Sequence, residues 1–197
     1  MAILKIARMG HPVLGGKAEP VADPTAPAIR LLVRNMIETM IDANGAGLAA
    51  PQVHVPLRLA VFQAPEERSD PGPSEAERYD HTAPLTVLAN PELEVLGSEM
   101  DSGWEGCLSI PGMRGFVERP AYIRYRGVNL KGEKIERTAR GFHARVVQHE
   151  LDHLDGILYP QRMGDLTKFI FESEARFWLP KEPEEETALE AVEETTA

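Results

Sequence analysis

Two histidines four residues apart, with a glutamate directly after the first, form the arrangement in this 197-residue chain best suited to chemistry: His149-Glu150-Leu151-Asp152-His153. The pattern lies in an apolar stretch that reads as a helix. Four residues advance a helix by about 400°, so both imidazoles project from nearly the same face, one turn apart, and can hold one metal ion. Glu150 sits roughly 100° round from His149, within reach of a water on that ion without being a ligand. The pattern also fits a solvated amphipathic helix, and it supplies only two ligands and a base.

The single cysteine offers a third ligand. Cys107 lies in Gly103-Trp104-Glu105-Gly106-Cys107-Leu108-Ser109-Ile110-Pro111-Gly112, whose small and turn-forming residues suggest a loop or strand end able to approach a metal. One cysteine excludes an intramolecular disulfide framework, and a buried structural thiol is the bland alternative. Taken with the two histidines, Cys107 makes a three-ligand site with one position open, which is catalytic in type because structural zinc sites carry four protein ligands. A further segment, Asn44-Gly45-Ala46-Gly47-Leu48-Ala49-Ala50-Pro51-Gln52, is made almost wholly of small residues. Its glycine spacing imitates a dinucleotide fingerprint, but it follows a helix and runs into Pro51, where the fingerprint needs a preceding strand and a following helix. It reads either as a plain helix-terminating loop or as a place where a substrate backbone can lie close, with the Gln52 amide free to donate.

The elements that must position these residues are legible in part. Asp23-Pro24 and Thr25 offer start signals for a first helix, in which Ile29, Leu32, Val33, Met36, Ile37 and Met40 form one buried stripe ended by Gly45. Residues 57–63, 85–89, 122–126 and 134–139 read as strands, the last two joined by a turn at Lys131-Gly132-Glu133. The stretch from Ala64 to Pro84 carries four prolines and many charges, so an exposed, mobile loop is expected there. The metal helix is expected over about Phe142 to Leu154, stopped by Gly156, and a final helix over about Asp165 to Trp178. His143 lies about 240° round from His149 and should not face the metal, while His11, His54 and His81 read as loop residues. Asp152 and Asp155 read as helix surface, although Asp152 has the reach to orient a ligand.

Together the motifs resemble one family. Gly45-Ala46-Gly47-Leu48-Ala49-Ala50-Pro51-Gln52, Glu105-Gly106-Cys107-Leu108-Ser109 and Gln148-His149-Glu150-Leu151-Asp152-His153 are similar, in order, to the three motifs of peptide deformylase. That enzyme removes the formyl group from the N-terminal formylmethionine of nascent chains. The resemblance runs from about Ile6 to about Phe177 and implies an α+β fold, with antiparallel sheets packed around the helix that carries the histidines. It implies that Cys107, His149 and His153 bind a divalent metal, that Glu150 is the base, and that the Gln52 amide and the Leu108 backbone N–H hold the oxyanion. Gly45, Ala46, Gly47 and Gly106 would lie along the substrate, with Phe142 and Val146 lining the methionine pocket. Glu105 and Arg114 match positions expected to form a supporting charge pair, and Arg145 stands where an apolar residue is more usual. A thiolate with two imidazoles suits iron, zinc, cobalt or nickel and sets aside magnesium and calcium; the resemblance favours Fe2+, with Zn2+, Ni2+ or Co2+ as substitutes.

Composition bounds the rest. The length suits one domain, here residues 1–180 with 64–84 as a loop insertion, followed by an acidic tail over 181–197. The net charge of −10 argues against a DNA binder, and no apolar run is long enough for a membrane span. The N-terminus has no cleavable signal, so the cytoplasm is the expected compartment, and N-formylmethionyl nascent peptides are the expected partners. The tail holds seven Glu and one Lys, so any transient ribosome contact should use another surface, since ribosomal RNA is a polyanion. Two other readings stand beside this one. A zinc endopeptidase would usually draw its third ligand from downstream, where no histidine follows His153; a noncatalytic binder would not need the full catalytic set.

Overall fold

The computed structural model describes residues 2–69 and 79–178; part of the expected 64–84 loop and the whole acidic tail lie outside the described residues. Helix α1 spans Pro27–Asp42. Its stripe is buried as the periodicity predicts: Val33, Met36 and Met40 pack with Leu48, Leu59 and Val61. The start lies later than expected because Asp23 closes a turn on Thr25, its carboxylate accepting the Thr25 N–H at 2.8 Å. The helix stops where Asn44 takes a left-handed conformation (φ 53°) and the Gly45 N–H bonds back to the Met40 carbonyl at 2.8 Å.

Among the described residues, eight strands form two antiparallel sheets, and with the helices they make an α+β fold. The larger sheet has the order β1-β2-β3-β6-β7, from β1 (Gly47–Ala49), β2 (Leu59–Ala64), β3 (Ala83–Val95), β6 (Tyr122–Val128) and β7 (Lys134–Arg140). The smaller runs β4-β5-β8, from β4 (Met100–Cys107), β5 (Ile110–Pro120) and β8 (Phe169–Phe171). Helix α2, Gly141–Leu154, joins them. Val147 and Leu151 belong to the core cluster that holds Phe62, Leu88 and Tyr125 of the larger sheet. From other faces of the same helix, Arg145 and Gln148 bond to carbonyls of Val117 and Pro120 in β5. Among the described residues, no helix is long and apolar enough to cross a membrane.

One expectation is corrected. Residues 165–178 do not form one helix: Leu166–Lys168 is a single 3-10 turn, Phe169–Phe171 is the edge strand β8, and Glu172–Phe177 is again 3-10. The Phe-Ile-Phe run suits a half-buried pleated surface, and the free edge of β5 gives it ladder partners, Phe171 opposite Met113 and Phe169 opposite Gly115. The described ends of the 64–84 segment are also fastened. Ala64 and Ala83 are buried within strands, the Arg68 guanidinium lies 5.0 Å from the Phe142 ring centre, and Arg137 donates to the carbonyls of Tyr79 and Thr82.

Candidate metal centre

Cys107 is the last residue of β4, where the ladder shifts register before a two-residue turn at Leu108 and Ser109 leads into β5. Its sulfur receives the Ser109 N–H at 3.4 Å and the Gln52 Nε2 at 3.5 Å. The one-turn spacing on α2 brings the rings of His149 and His153 edge to face, centres 4.9 Å apart. The ligand atoms of Cys107, His149 and His153 all lie within 4.8 Å of one another.

The donor set fits a metal. Tetrahedral bonds of about 2.3 Å to sulfur and 2.1 Å to nitrogen place sulfur and nitrogen roughly 3.6 Å apart, and Cys107 Sγ stands 3.3 Å from His153 Nε2. His149 gives its Nδ1 to Glu105 Oε2 at 2.8 Å, which leaves Nε2 for the ion. A carboxylate in this position fixes the ring and strengthens its donor nitrogen.

Glu105 is buried yet ionised. Burial works to raise its carboxyl, but the N–H groups of Arg119 and His149 outweigh burial and hold it well below the usual range. Arg119 donates to both its oxygens, at 2.7 and 2.9 Å, and to Asp152 at 2.7 Å. Asp152 is held in turn by Arg162, so a buried chain of alternating charge leads from Asp152 to the imidazole. Arg145 adds a second clamp, donating to Glu105, to the Val117 carbonyl and to both the carbonyl and carboxylate of Asp101. The charge partner of Glu105 is therefore Arg119, with Arg145, and not Arg114. Hairpin register explains the correction: Gly115 faces Glu105 and Arg114 faces Gly106, which puts Arg114 on the opposite side of the sheet. There it bonds Glu172 at 3.0 Å. The shared parity of residues 105 and 119 across a hairpin is the signal in the sequence that points to Arg119, and it is visible only once β4 and β5 are recognised.

Glu150 is 3% exposed, and its Oε2 is buried without a hydrogen-bond partner among the described residues. Burial pushes its carboxyl up to about 7 against the opposing charge of His149. Gly47 makes this placement possible, because a Cβ there would stand 2.6 Å from Glu150 Cδ. Across the site, Gln52 is buried with its Oε1 committed to the Ala49 N–H at 2.8 Å. Its Nε2 must then point toward Cys107 and Ser109, the latter at 3.1 Å.

These groups wall a cleft of about 430 Å³. Gly45, Ala46, Gly47 and Gln52 form one side, and Glu105, Gly106, Cys107 and Leu108 another. Arg145, Val146, His149 and Glu150 come from α2, and Arg68, Arg114 and Glu172 complete the lining. His153 lies beneath it, 1% exposed. Phe142 does not line the cleft; it packs on the core and carries Arg68, which does. His143 is turned away from the ligands, its ring bonded to the Tyr125 hydroxyl at 3.1 Å and the Asp80 carbonyl at 2.8 Å.

Residues 3–169 match the family model described as polypeptide deformylase. The chain belongs to that family. It is 52% identical over 164 residues to peptide deformylase 1 of Bordetella pertussis, covering 83% of this chain and 89% of the relative. The fold is similar to the crystal structure of peptide deformylase from Ehrlichia chaffeensis, with TM-score 0.77 and 32% identity over 85% of this chain and 91% of that one. It is also similar to a Met-Ala-Ser-bound class I type b peptide deformylase from Acinetobacter baumannii, with TM-score 0.71 and 36% identity over 82% and 99% of the two chains. The chain is thus a hydrolase that removes the formyl group from nascent polypeptides, and its family is metal-dependent.

Proposed function

We propose that deformylation takes place in this cleft, within a single catalytic domain over residues 1–180, and that Cys107, His149 and His153 hold its ion. The observation that carries the assignment is Glu150: a buried carboxylate oxygen, unpaired among the described residues, beside three converging ligand atoms. A divalent ion held by these three residues would supply Lewis acidity toward the formyl oxygen and toward a nearby water. Glu150, with a carboxyl raised to about 7, takes a proton from the attacking water and returns it to the leaving amine as formate departs. Gln52 Nε2 and the Leu108 N–H donate to the oxyanion as it forms. Gly45, Ala46, Gly47 and Gly106 let the peptide backbone approach, and Val146 meets the methionine side chain. Glu105 supports the site through His149. Arg114 belongs to the mouth instead.

The soft donor set supports iron, zinc, cobalt or nickel, and family resemblance favours Fe2+ as the working ion. Anaerobically prepared ferrous enzyme should lose activity in air while a nickel form survives; equal air stability of the two would count against iron. We place the enzyme in the cytoplasm, where a thiol ligand stays reduced. The acidic tail is no RNA ligand in this reading, so deleting residues 181–197 should leave ribosome co-sedimentation unchanged or slightly raised. Metal-loaded enzyme should release formate from formyl-Met-Ala-Ser and leave its peptide bonds intact, with casein uncut. Casein cleavage without formate release would transfer the site to an endopeptidase.

A further inference from the structure

The cleft wall near the metal is built from buried groups whose charges answer one another, but its mouth is not. Three half-exposed or exposed charged residues line it there: Arg68, Arg114 and Glu172. Glu172 lies beyond the end of the family match at residue 169, so a stretch outside that match supplies part of the site. Strand β8 delivers it. Ile170 pairs with Arg114 across the β5 edge, and the chain then turns so that one carboxylate oxygen of Glu172 accepts both Nε and Nη2 of Arg114. The side chains are 37% and 54% exposed, so the pair is open to competition from a ligand.

We propose that Glu172 is a specificity-determining residue. By holding the Arg114 guanidinium, it keeps the mouth from selecting peptides with an acidic side chain just after the formylated residue. This rests on reading the cleft as the substrate site. A nascent chain anchored by its formyl end is too long to be enclosed, so its next residues must leave through the mouth and pass these charges. With Glu172 present, one of the two guanidiniums there is neutralised; without it, both face the departing chain. An exposed pair of this kind contributes a few-fold effect, because solvent screens it.

The test compares the parent enzyme, Glu172→Gln, Arg114→Gln and the double variant on formyl-Met-Asp-Ser, formyl-Met-Ala-Ser and formyl-Met-Lys-Ser. Glu172→Gln should raise the acidic-to-neutral ratio of kcat/KM about threefold and lower the basic-to-neutral ratio by a similar factor. The change should lie in KM, vanish in high salt, and be missing when Glu172→Gln is added to Arg114→Gln. An equal change for all three peptides, or a shift that persists without Arg114, would overturn the proposal. If the parent enzyme failed to turn over formyl-Met-Ala-Ser, the reading of the cleft would fail instead; turnover with unmoved ratios would fail only the role of Glu172.

Discussion

Replacing Arg119 with methionine tests whether the buried charge chain tunes the proposed metal ligand His149 or merely braces the fold. Arg119 is 5% exposed and donates three hydrogen bonds, two to Glu105 and one to Asp152. Removing one partner of a buried ion pair costs ~3–5 kcal/mol when the other is left uncompensated. Here compensation is partial. Glu105 keeps Arg145 at 3.0 Å and His149 at 2.8 Å, and Asp152 keeps Arg162. The low end of that range, ~3 kcal/mol, is therefore expected. For a domain of this size it corresponds to a fall of roughly 6–12 °C in Tm. The sign of the pH dependence follows from Glu105, whose folded carboxyl is depressed. Its stabilisation is complete above the ordinary glutamate value of about 4.3 and is lost as pH falls toward the folded one. The gap between parent and variant should then be full at neutral pH and narrow in acid. Because a less firmly ionised Glu105 is a poorer partner for His149, metal affinity should also fall ~10–100-fold. Calorimetry measures the first effect and competition with a chelator the second. Lost stability with unchanged metal affinity would refute the tuning role and leave Arg119 a structural brace.

Three other outcomes are expected. Glu150→Ala should keep close to one metal per chain while kcat falls by several orders of magnitude, whereas Cys107→Ala should lose metal and activity together; equal metal loss in both would undo the division of roles. Gly47→Ala drives a Cβ into the Glu150 carboxyl group, and displacing the base by about 1 Å should lower kcat ~100-fold with little change in metal content; an unchanged kcat would place the base elsewhere. Burial pushes His143 down to about 4, so the unfolded chain binds a proton there before the folded one does as pH falls below the ordinary value. Stability should thus fall by roughly 3 kcal/mol between pH 6.5 and pH 4, and urea titrations of His143→Gln should show a shallower fall; identical slopes would remove His143 as the cause.

The convergence of the candidate ligands was legible because it is local in part: the helical period places His149, Glu150 and His153 without knowledge of the fold. Helix α1 was legible for the same reason, through a stripe from Ile29 to Met40 that repeats over about three turns. The hairpin was not. Gly103, Gly106, Gly112 and Gly115 interrupt β4 and β5, and the inward positions carry Asp101, Glu105 and Arg119, so the strands lack the apolar alternation that marks a strand in sequence. The charges of Glu105 and Arg119 stay buried because they are satisfied by each other and by Asp152 and Arg145, partners 14 to 40 residues apart. The C-terminal segment was misread because spacing alone cannot show that β5 has an open edge waiting for Phe169–Phe171.

The hairpin also separates the kinds of genetic change this enzyme can absorb. Along β4, Asp101 and Glu105 touch Arg145, and Gly103 leaves room for its guanidinium. Trp104, pointing the other way, packs on Phe116 and Trp178. Side chains alternate with a period of two, so inserting or deleting one codon between 101 and 107 exchanges the two faces. Trp104 would then be driven into the charged wall and Glu105 out among the aromatic rings, with Cys107 carried off the ligand set. No single compensating substitution restores both faces. Length in this strand is therefore fixed more tightly than residue identity, and lineages of the enzyme should differ in β4 by replacement while gaining and losing residues elsewhere.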